Sequence, residues 1–193
     1  MTGSNKAANR PALPGMSLVL GGARSGKSRF AERLVRLAGI PCTYLATAEP
    51  SDQEMQARIA RHRADRGTAA WIVIEAPQDL AGAIAGLGPP SCAALIDCAT
   101  LWLSNRLLAG ADSEAAAAAL IEALVAAPMP VVVVSNEVGW SPVPLTPLGR
   151  AFRDAQGRLN QRLAERAGLV VGIIAGLPMV LKGRLPPGIA HAG

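Results

Sequence analysis

One eight-residue segment constrains the fold of this chain more than any other. Residues 21–28 read Gly-Gly-Ala-Arg-Ser-Gly-Lys-Ser, follow an apolar run at residues 17–20 and open a helical pattern that begins at Lys27. Glycine permits backbone conformations that are closed to other residues, so successive N–H groups can point at phosphate oxygens, and the following helix adds its positive N-terminal end. The segment therefore predicts a strand, a phosphate-binding loop and a helix, in that order.

The predicted phosphate loop supplies most of the candidate nucleotide ligands. They are Gly21, Gly22, Ala23, Arg24, Ser25, Gly26, Lys27 and Ser28. In loops of this type the lysine reaches the β- and γ-phosphates and the hydroxyl residue after it ligates Mg²⁺, so we expect these roles for Lys27 and Ser28. The alternative is a glycine-rich turn that binds nothing, but the full motif in its strand-to-helix context favours a nucleotide site and phosphoryl transfer.

The rest of the chain alternates short apolar runs with longer helical patterns. The predicted strands are residues 17–20, 42–47, 71–74, 93–97, 131–135 and 169–174, and the predicted helices are residues 27–38, 52–66, 78–85, 100–108, 113–126 and 147–167. Continuous apolar strands are typical of burial on both faces, and the alternation predicts a doubly wound α/β domain with a mostly parallel sheet. We expect one domain at residues 16–184, with flexible ends at residues 1–15 and 185–193.

Composition excludes several classes of partner. Aromatic residues make up 3% of the 193 residues, which disfavours nucleic-acid binding by base stacking, and the net charge of +5 comes from scattered arginines that form no dense patch. No apolar run is long enough to span a membrane, so we expect a cytoplasmic protein. The three cysteines form no closely spaced pair, which favours buried, reduced thiols over a disulfide or a zinc site.

Acidic residues end three of the predicted strands. Asp97 follows a buried run and is expected beside the phosphate loop, where it would hold Mg²⁺ directly or through water. Glu75 and Glu137 follow two other runs, and ligands of open α/β sheets bind outside the carboxyl ends of the strands. Each of the two could equally be a helix cap or a solvated loop charge, so the sequence leaves their roles open.

A histidine on the predicted helix at residues 52–66 is a candidate nucleophile. His62 shares a helical face with Met55 and Ile59, and arginines flank that face. A neutral imidazole can attack phosphorus while guanidinium groups hold the phosphates. The alternative is a partly buried histidine with satisfied hydrogen bonds and no catalytic role.

In its ordered set of motifs the chain resembles the bifunctional adenosylcobinamide kinase and adenosylcobinamide-phosphate guanylyltransferase family of cobalamin biosynthesis. The motifs are residues 21–29, 44–48, 54–59 with 62–63, 71 with 75, 95–98, 101–105, 135–139, 152–154 and 157–161. The resemblance implies a three-layer P-loop NTPase domain of the RecA-like type. It also implies a homo-oligomer, a trimer, with no nucleic-acid partner.

The same resemblance implies two successive phosphorus transfers. The first phosphorylates the aminopropanol hydroxyl of adenosylcobinamide with ATP or GTP; the second passes GMP from GTP, through a guanylyl group on His62, to adenosylcobinamide phosphate. It further implies nucleotide contacts, which are Ala46, Thr47, Ala48, Arg63, Ala64, Asp65, Arg66, Glu75 and Asp97. The other histidine, His191, lies in the tail, which leaves His62 as the candidate nucleophile.

Two other functions compete with this interpretation. One is a P-loop kinase for a different small hydroxyl acceptor, which needs no covalent histidine. The other is a nucleotide-gated switch whose slow hydrolysis changes partner binding. The first predicts that replacing His62 leaves activity nearly intact, and the second predicts nucleotide binding without transfer to any small molecule.

Overall fold

The structure, a computed structural model, describes residues 13–49 and 71–189. Seven strands and five helices lie in these ranges. In chain order they are β1 (Met16–Gly21), α1 (Lys27–Arg36), β2 (Cys42–Ala46), β3 (Trp71–Glu75), α2 (Leu80–Ala85), β4 (Ala94–Asp97), α3 (Ala99–Leu108), α4 (Ser113–Ala126), β5 (Val131–Asn136), α5 (Pro147–Arg166), β6 (Leu169–Ile174) and β7 (Leu177–Lys182).

The strands form one sheet in the order β3-β2-β4-β5-β1-β6-β7. Every neighbouring pair is parallel except β6 and β7, which are antiparallel. The prediction of an α/β domain with a mostly parallel sheet is confirmed. Because parallel strands share a direction, the carboxyl ends of β1, β4 and β5 all lie at one edge of the sheet.

Helices cover both faces of the sheet, and the central strands alternate their side chains between two cores. Leu18 and Leu20 of β1 belong to a core formed with α2, α3, α4 and α5, whereas Val19 belongs to a second core formed with α1. Phe30 and Leu34 are the large α1 side chains in that second core. In the described part of the chain the result is three layers, with the sheet between α1 on one face and α2, α3, α4 and α5 on the other.

The edge strands differ from the predicted burial. In β3, which pairs with β2 in the described part of the sheet, Ile72 and Val73 are 37% and 47% exposed. The expectation that all six predicted strands are buried on both faces is therefore wrong for β3. An apolar run indicates a strand, but only the order of strands in the sheet decides whether that strand is central.

Strand β7 carries no local signal in the sequence and was not predicted. A two-residue turn at Ala175 and Gly176, with φ values of 51° and 81°, joins β6 to β7 as a hairpin. Positive φ at both central residues normally selects Asn-Gly or Asp-Gly, so an alanine there gave no turn signal. Pro178 inside the strand also argued against it, although proline is tolerated at a sheet edge.

Helix boundaries follow the predictions to within two residues, and the differences have local causes. Helix α2 begins at Leu80 instead of residue 78 because the side chain of Asp79 caps it, accepting a hydrogen bond from the Gly82 N–H at 2.8 Å. The predicted helix at residues 52–66 lies outside the described residues.

Both ends of the described chain pack against the second core. Leu13 and Ile189 are buried there, although they lie within the segments predicted as flexible ends. Of the three cysteines, Cys42 and Cys98 are buried as expected, whereas Cys92 is only half-buried. Within residues 13–49 and 71–189, no helix combines the length and apolar character that crossing a membrane requires.

Candidate nucleotide site at the carboxyl edge of the sheet

The phosphate loop connects the end of β1 to the start of α1 through two left-handed residues. Arg24 has φ 56° and Gly26 has φ 92°. The N–H of Ser25 donates to the carbonyl of Gly22 at 3.3 Å, which closes a tight turn between them. A tight turn with left-handed residues is the kind of backbone conformation that gathers successive N–H groups into an anion-binding nest.

The N-terminal end of α1 is open to an anion. Its N-cap residue, Gly26, supplies no side-chain hydrogen bond, and the first turn of the helix contains no acidic residue. The unsatisfied N–H groups and the helix dipole therefore leave a partial positive charge at this end. A phosphate group fits this electrostatic environment.

Gly21 is required by packing, since a Cβ atom at this position would lie 2.5 Å from the Ser25 hydroxyl oxygen and 2.7 Å from the Ile173 carbonyl oxygen. The same Ser25 hydroxyl is buried and has no hydrogen-bond partner in the described part of the chain. A buried unpaired hydroxyl is unfavourable by itself, and a phosphate oxygen is a suitable acceptor for it.

Lys27 lies folded over the loop. Its side chain is buried, at 8% exposure, and Nζ donates a hydrogen bond to the Gly22 carbonyl at 3.1 Å. The Lys27 ammonium also interacts electrostatically with the Cys98 thiol near the end of β4. The lysine is thus held at the carboxyl edge of the sheet, where the predicted phosphates bind.

Asp97 lies further from the loop than the sequence analysis expected. It ends β4, and β5 is inserted between β4 and β1, so about 10 Å separates Asp97 from β1 by strand spacing. The Tyr44 hydroxyl donates to Asp97 Oδ2 at 3.1 Å. Sequence patterns do not give strand order, which explains why the inserted strand was missed.

A magnesium ion fits the residues present. No group of three or more His, Cys, Asp or Glu side chains in residues 13–49 and 71–189 could hold a metal ion alone. Mg²⁺, however, is commonly held by one or two protein oxygens together with substrate phosphates and water. Ser28, at the start of α1, and Asp97, at the end of β4, carry such oxygens, and both positions lie at the carboxyl edge of the sheet.

The loop after β2 is tied to β4. The Thr47 hydroxyl donates to the Cys98 carbonyl at 2.8 Å and accepts from the Cys98 N–H at 2.7 Å. The Asn105 amide donates to the Thr47 carbonyl at 2.9 Å. The Thr47 side chain is fully buried. Among the predicted nucleotide contacts at positions 46–48, Ala46 and Ala48 are therefore the more accessible to a ligand.

Cys98 is a poor candidate for chemistry even though it follows Asp97. Burial, together with the nearby Asp97 carboxylate, raises the pKa of its thiol to about 11. The reactive form of cysteine is the thiolate, so a thiol with this pKa is inert at neutral pH. We assign Cys98 a structural role, since its backbone N–H and carbonyl both bond the Thr47 hydroxyl.

The predicted site residues fall into two groups along the edge. Glu75 pairs with Ala46, which pairs with Asp97, so these three residues lie side by side at the ends of β3, β2 and β4. Glu75 is four strands from β1, about 19 Å away by strand spacing. His62, Arg63, Ala64, Asp65 and Arg66 lie outside the described residues, so their assigned roles stay predictions.

The structure brings one further acidic residue to the phosphate loop. Glu137 follows β5, the strand next to β1, and its N–H donates to the Gly21 carbonyl at 3.2 Å. The sequence left its role open. Asn160 of α5 contacts Glu137, and the sequence analysis gave Asn160 no role because a single amide on a long helix carries no pattern.

Comparison with known proteins identifies relatives over most of the chain. The profile of the family described as cobinamide kinase / cobinamide phosphate guanyltransferase matches residues 17–181. A protein of Pseudomonas aeruginosa named bifunctional adenosylcobalamin biosynthesis protein CobP is 46% identical, covering 86% of this chain and 96% of that protein. The Escherichia coli protein named bifunctional adenosylcobalamin biosynthesis protein CobU is 40% identical, covering 86% and 99%.

Solved structures with the same fold are more distant in sequence. The RadB recombinase is similar with a TM-score of 0.51 and 17% identity, covering 91% of this chain and 84% of that one. The flagellar accessory protein FlaH from Methanocaldococcus jannaschii has a TM-score of 0.50 and 12% identity, covering 93% and 84%. These similarities confirm the P-loop NTPase fold and carry no information about substrate.

Proposed function

Because this chain belongs to the cobinamide kinase / cobinamide phosphate guanyltransferase family, we propose that it phosphorylates the aminopropanol hydroxyl of adenosylcobinamide with ATP or GTP. It then transfers GMP from GTP to that phosphate and releases adenosylcobinamide-GDP. The observation that carries the proposal is the complete phosphate loop at the carboxyl edge of the sheet. Lys27 bonds to this loop, and the helix that follows has no side-chain cap and no acidic residue in its first turn. We place this chemistry in the cytoplasm.

In the first step the acceptor oxygen attacks the γ-phosphorus. A new O–P bond forms, the bond from the γ-phosphorus to the bridging oxygen breaks, and the nucleoside diphosphate leaves with that electron pair. Lys27 and the N-terminal end of α1 hold the phosphate oxygens. Mg²⁺, held by Ser28 and Asp97, would neutralise charge that develops on the phosphates.

In the second step we assign His62 as the nucleophile, following the family resemblance. Its imidazole attacks the α-phosphorus of GTP, a P–N bond forms and pyrophosphate leaves. A phosphate oxygen of adenosylcobinamide phosphate then attacks the same phosphorus and breaks the P–N bond. Ala46, Thr47, Ala48, Glu75 and the basic stretch from Arg63 to Arg66 are the proposed nucleotide contacts of this half of the site.

Labelling tests the covalent step. Wild-type protein incubated with α-labelled GTP and Mg²⁺ and then denatured should retain the label in an acid-labile, base-stable form, as expected for a P–N bond on histidine. The variant His62→Ala should retain none. If folded, nucleotide-bound wild type also retains none, the guanylyl-histidine is excluded and an ordinary P-loop kinase becomes the better proposal.

Two variants separate the two activities. Lys27→Ala should lose both phosphorylation and guanylyl transfer, because both reactions need the triphosphate held in the loop; a loss of 10²-fold or more is typical when one charge-stabilising donor is removed. His62→Ala should lose guanylyl transfer and keep phosphorylation. Identical behaviour of the two variants would contradict this division of roles.

We also propose a homotrimer, as the family resemblance implies. The β6–β7 hairpin supports an assembly because its edge exposes the apolar side chains of Leu177, Met179 and Leu181. Sedimentation equilibrium should give about three times the chain mass of 19.8 kDa. A monomer mass at micromolar concentration would contradict the trimer and leave the chemistry untouched.

A further inference from the structure

A buried polar network lies at the carboxyl end of β5, where Ser135 pairs with Leu20, the residue before the phosphate loop. The Ser135 hydroxyl at the end of β5 donates to Asn160 Oδ1 at 2.7 Å, and Gln156 Nε2 donates to both of those oxygens at 2.9 Å. Since Ser135 uses its only hydrogen on Asn160, the Thr100 hydroxyl is the donor in its 3.3 Å contact with Ser135. Four side chains from three elements therefore meet in a place where unpaired polar groups are costly.

This network fixes the orientation of the Asn160 amide. Its oxygen accepts from two donors, so its NH₂ group must point the other way. There Nδ2 donates to the Asn136 carbonyl and to Glu137 Oε1, both at 3.1 Å. The network thus ends on one oxygen of one carboxylate at the carboxyl edge of the sheet.

The Glu137 carboxylate has no structural task of its own in the described part of the chain. No helix begins beside it, because α5 starts at Pro147 and is capped by Thr146. Among residues 13–49 and 71–189 it forms no ion pair, and Oε2 accepts no hydrogen bond. The Glu137 backbone N–H donates to the carbonyl of Gly21. The carbonyl of the next residue, Gly22, accepts the hydrogen bond from Lys27. A carboxylate is therefore oriented, with one oxygen available, next to the phosphate loop.

We propose that Glu137 is the carboxylate that takes the proton from the acceptor hydroxyl during phosphorylation, and that Asn160 is the positioning residue that holds it. This inference rests on the proposed function. A lone pair of the hydroxyl oxygen forms the new O–P bond, the proton passes to Glu137 Oε2, and the electrons of the O–H bond stay on the oxygen. The nucleoside diphosphate leaves with the electrons of the broken bond, and Glu137 then returns the proton to solvent.

Phosphorylation is the one step of the proposed cycle that removes a proton from a hydroxyl. In guanylyl transfer the nucleophiles are an imidazole nitrogen and a phosphate oxygen that is already anionic, so neither needs a carboxylate base. A proton acceptor contributes about 10²–10⁴-fold to rate. Loss of the Glu137 carboxylate should therefore affect the two activities very unequally, which a metal ligand or a fold-stabilising residue would not do.

The test compares Glu137→Gln, Glu137→Asp and wild type in two assays. Transfer of γ-label from nucleoside triphosphate to adenosylcobinamide measures phosphorylation, and retention of label from α-labelled GTP measures guanylylation. Glu137→Gln should lower kcat for phosphorylation about 10²-fold or more with unchanged nucleotide KM. Its guanylylation should stay within about twofold of wild type, and Glu137→Asp should recover part of the lost rate. Glu122→Gln, an exposed carboxylate on α4, is the matched control and should match wild type in both assays.

Each result is decisive. Equal phosphorylation by Glu137→Gln and wild type, or equal losses in both assays, overturns the role of Glu137 while the proposed function stands. A wild type that transfers no γ-label to adenosylcobinamide removes the proposed function and this inference with it.

Asn160 is tested through its partner. If it acts by orienting Glu137, Asn160→Ala should lower phosphorylation kcat with nucleotide KM unchanged, and adding it to Glu137→Gln should lower the rate no further. A purely structural Asn160 would instead lower the rate by the same factor in both backgrounds, and that result would overturn its positioning role.

Discussion

Two residues of the phosphate loop illustrate how much a single position can carry. Arg24 adopts a left-handed backbone conformation, with φ 56°, that costs a non-glycine residue about 1 kcal/mol. Gly21 is constrained in another way, because any side chain would collide with Ser25 and Ile173. The motif therefore combines a left-handed backbone at Arg24 with close packing at Gly21, and of these two positions only Gly21 has no room for a side chain.

Cys98 allows a prediction at the same scale. Its pKa is about 11 in the folded protein and near the ordinary value of 9.0 in the unfolded chain. Below pH 9 both states keep the proton, so the thiol is neutral in both. Between pH 9 and pH 11 only the unfolded state loses the proton, so the free energy of unfolding should fall by about 1.4 kcal/mol per pH unit from this thiol.

The measurement is urea unfolding of wild type and Cys98→Ala at pH 8, 9, 10 and 11. Other groups also titrate in this range, and the variant cancels their contribution. The free-energy difference between the two proteins should be constant up to pH 9 and then shrink. A difference that stays constant to pH 11 would contradict a protonated, buried Cys98.

At the scale of elements, local capping explains boundaries that hydrophobic periodicity leaves open. Helix α4 begins at Ser113 because Asp112 precedes it and accepts hydrogen bonds from the N–H groups of Glu114 and Ala115 at 2.9 Å and 3.2 Å. Among residues 113–119 of this helix only Ala117 is buried, so the Asp112 cap helps to fix where the helix starts.

We expect Asp112→Ala to lower the free energy of unfolding by about 1 kcal/mol, since two backbone donors lose their acceptor. Asp112→Asn should restore most of the loss, because asparagine is also a good cap. Chemical denaturation measures both variants. The Asp112 side chain bonds only the first turn of its own helix in the described part of the chain, so phosphorylation should be unchanged. Equal stability of the alanine and asparagine variants would contradict the capping role.

Elements also show where sequence prediction reaches its limit. The first six strands and the five described helices follow from apolar runs and helical spacing, because those patterns report local burial. Strand β7 does not, since its turn contains Ala175 and its body contains Pro178. Its pairing with β6 comes from the geometry of the hairpin, which the local pattern does not contain.

For the whole molecule, the sheet separates two cores that should behave independently. Leu34 of α1 is fully buried in one core and Leu120 of α4 in the other. Each change to alanine should cost about 2–5 kcal/mol of unfolding free energy. Because the side chains share no neighbours, the double variant should equal the sum within about 0.5 kcal/mol.

The matched comparison pairs Leu120→Ala with Leu124→Ala, one helical turn away in the same core. These two changes create adjoining cavities in the same core. The loss of unfolding free energy in the double variant should therefore differ from the sum of the two single losses. Chemical denaturation measures all single and double variants. The two-core arrangement would be contradicted if the Leu34 and Leu120 variants depart from additivity as much as the Leu120 and Leu124 variants do.

The phosphate loop, the alternation of strands and helices, and the family could all be read before folding is considered, because each depends on short-range spacing or on an ordered set of motifs. Three features came only from the folded structure: β5 separates Asp97 from β1, β3 lies at the end of the described sheet, and Glu137 bonds Gly21 while Asn160 bonds Glu137. Strand order and side-chain networks join residues far apart in the chain. Their energies depend on contacts that no local pattern contains, so they become visible only when the chain is folded.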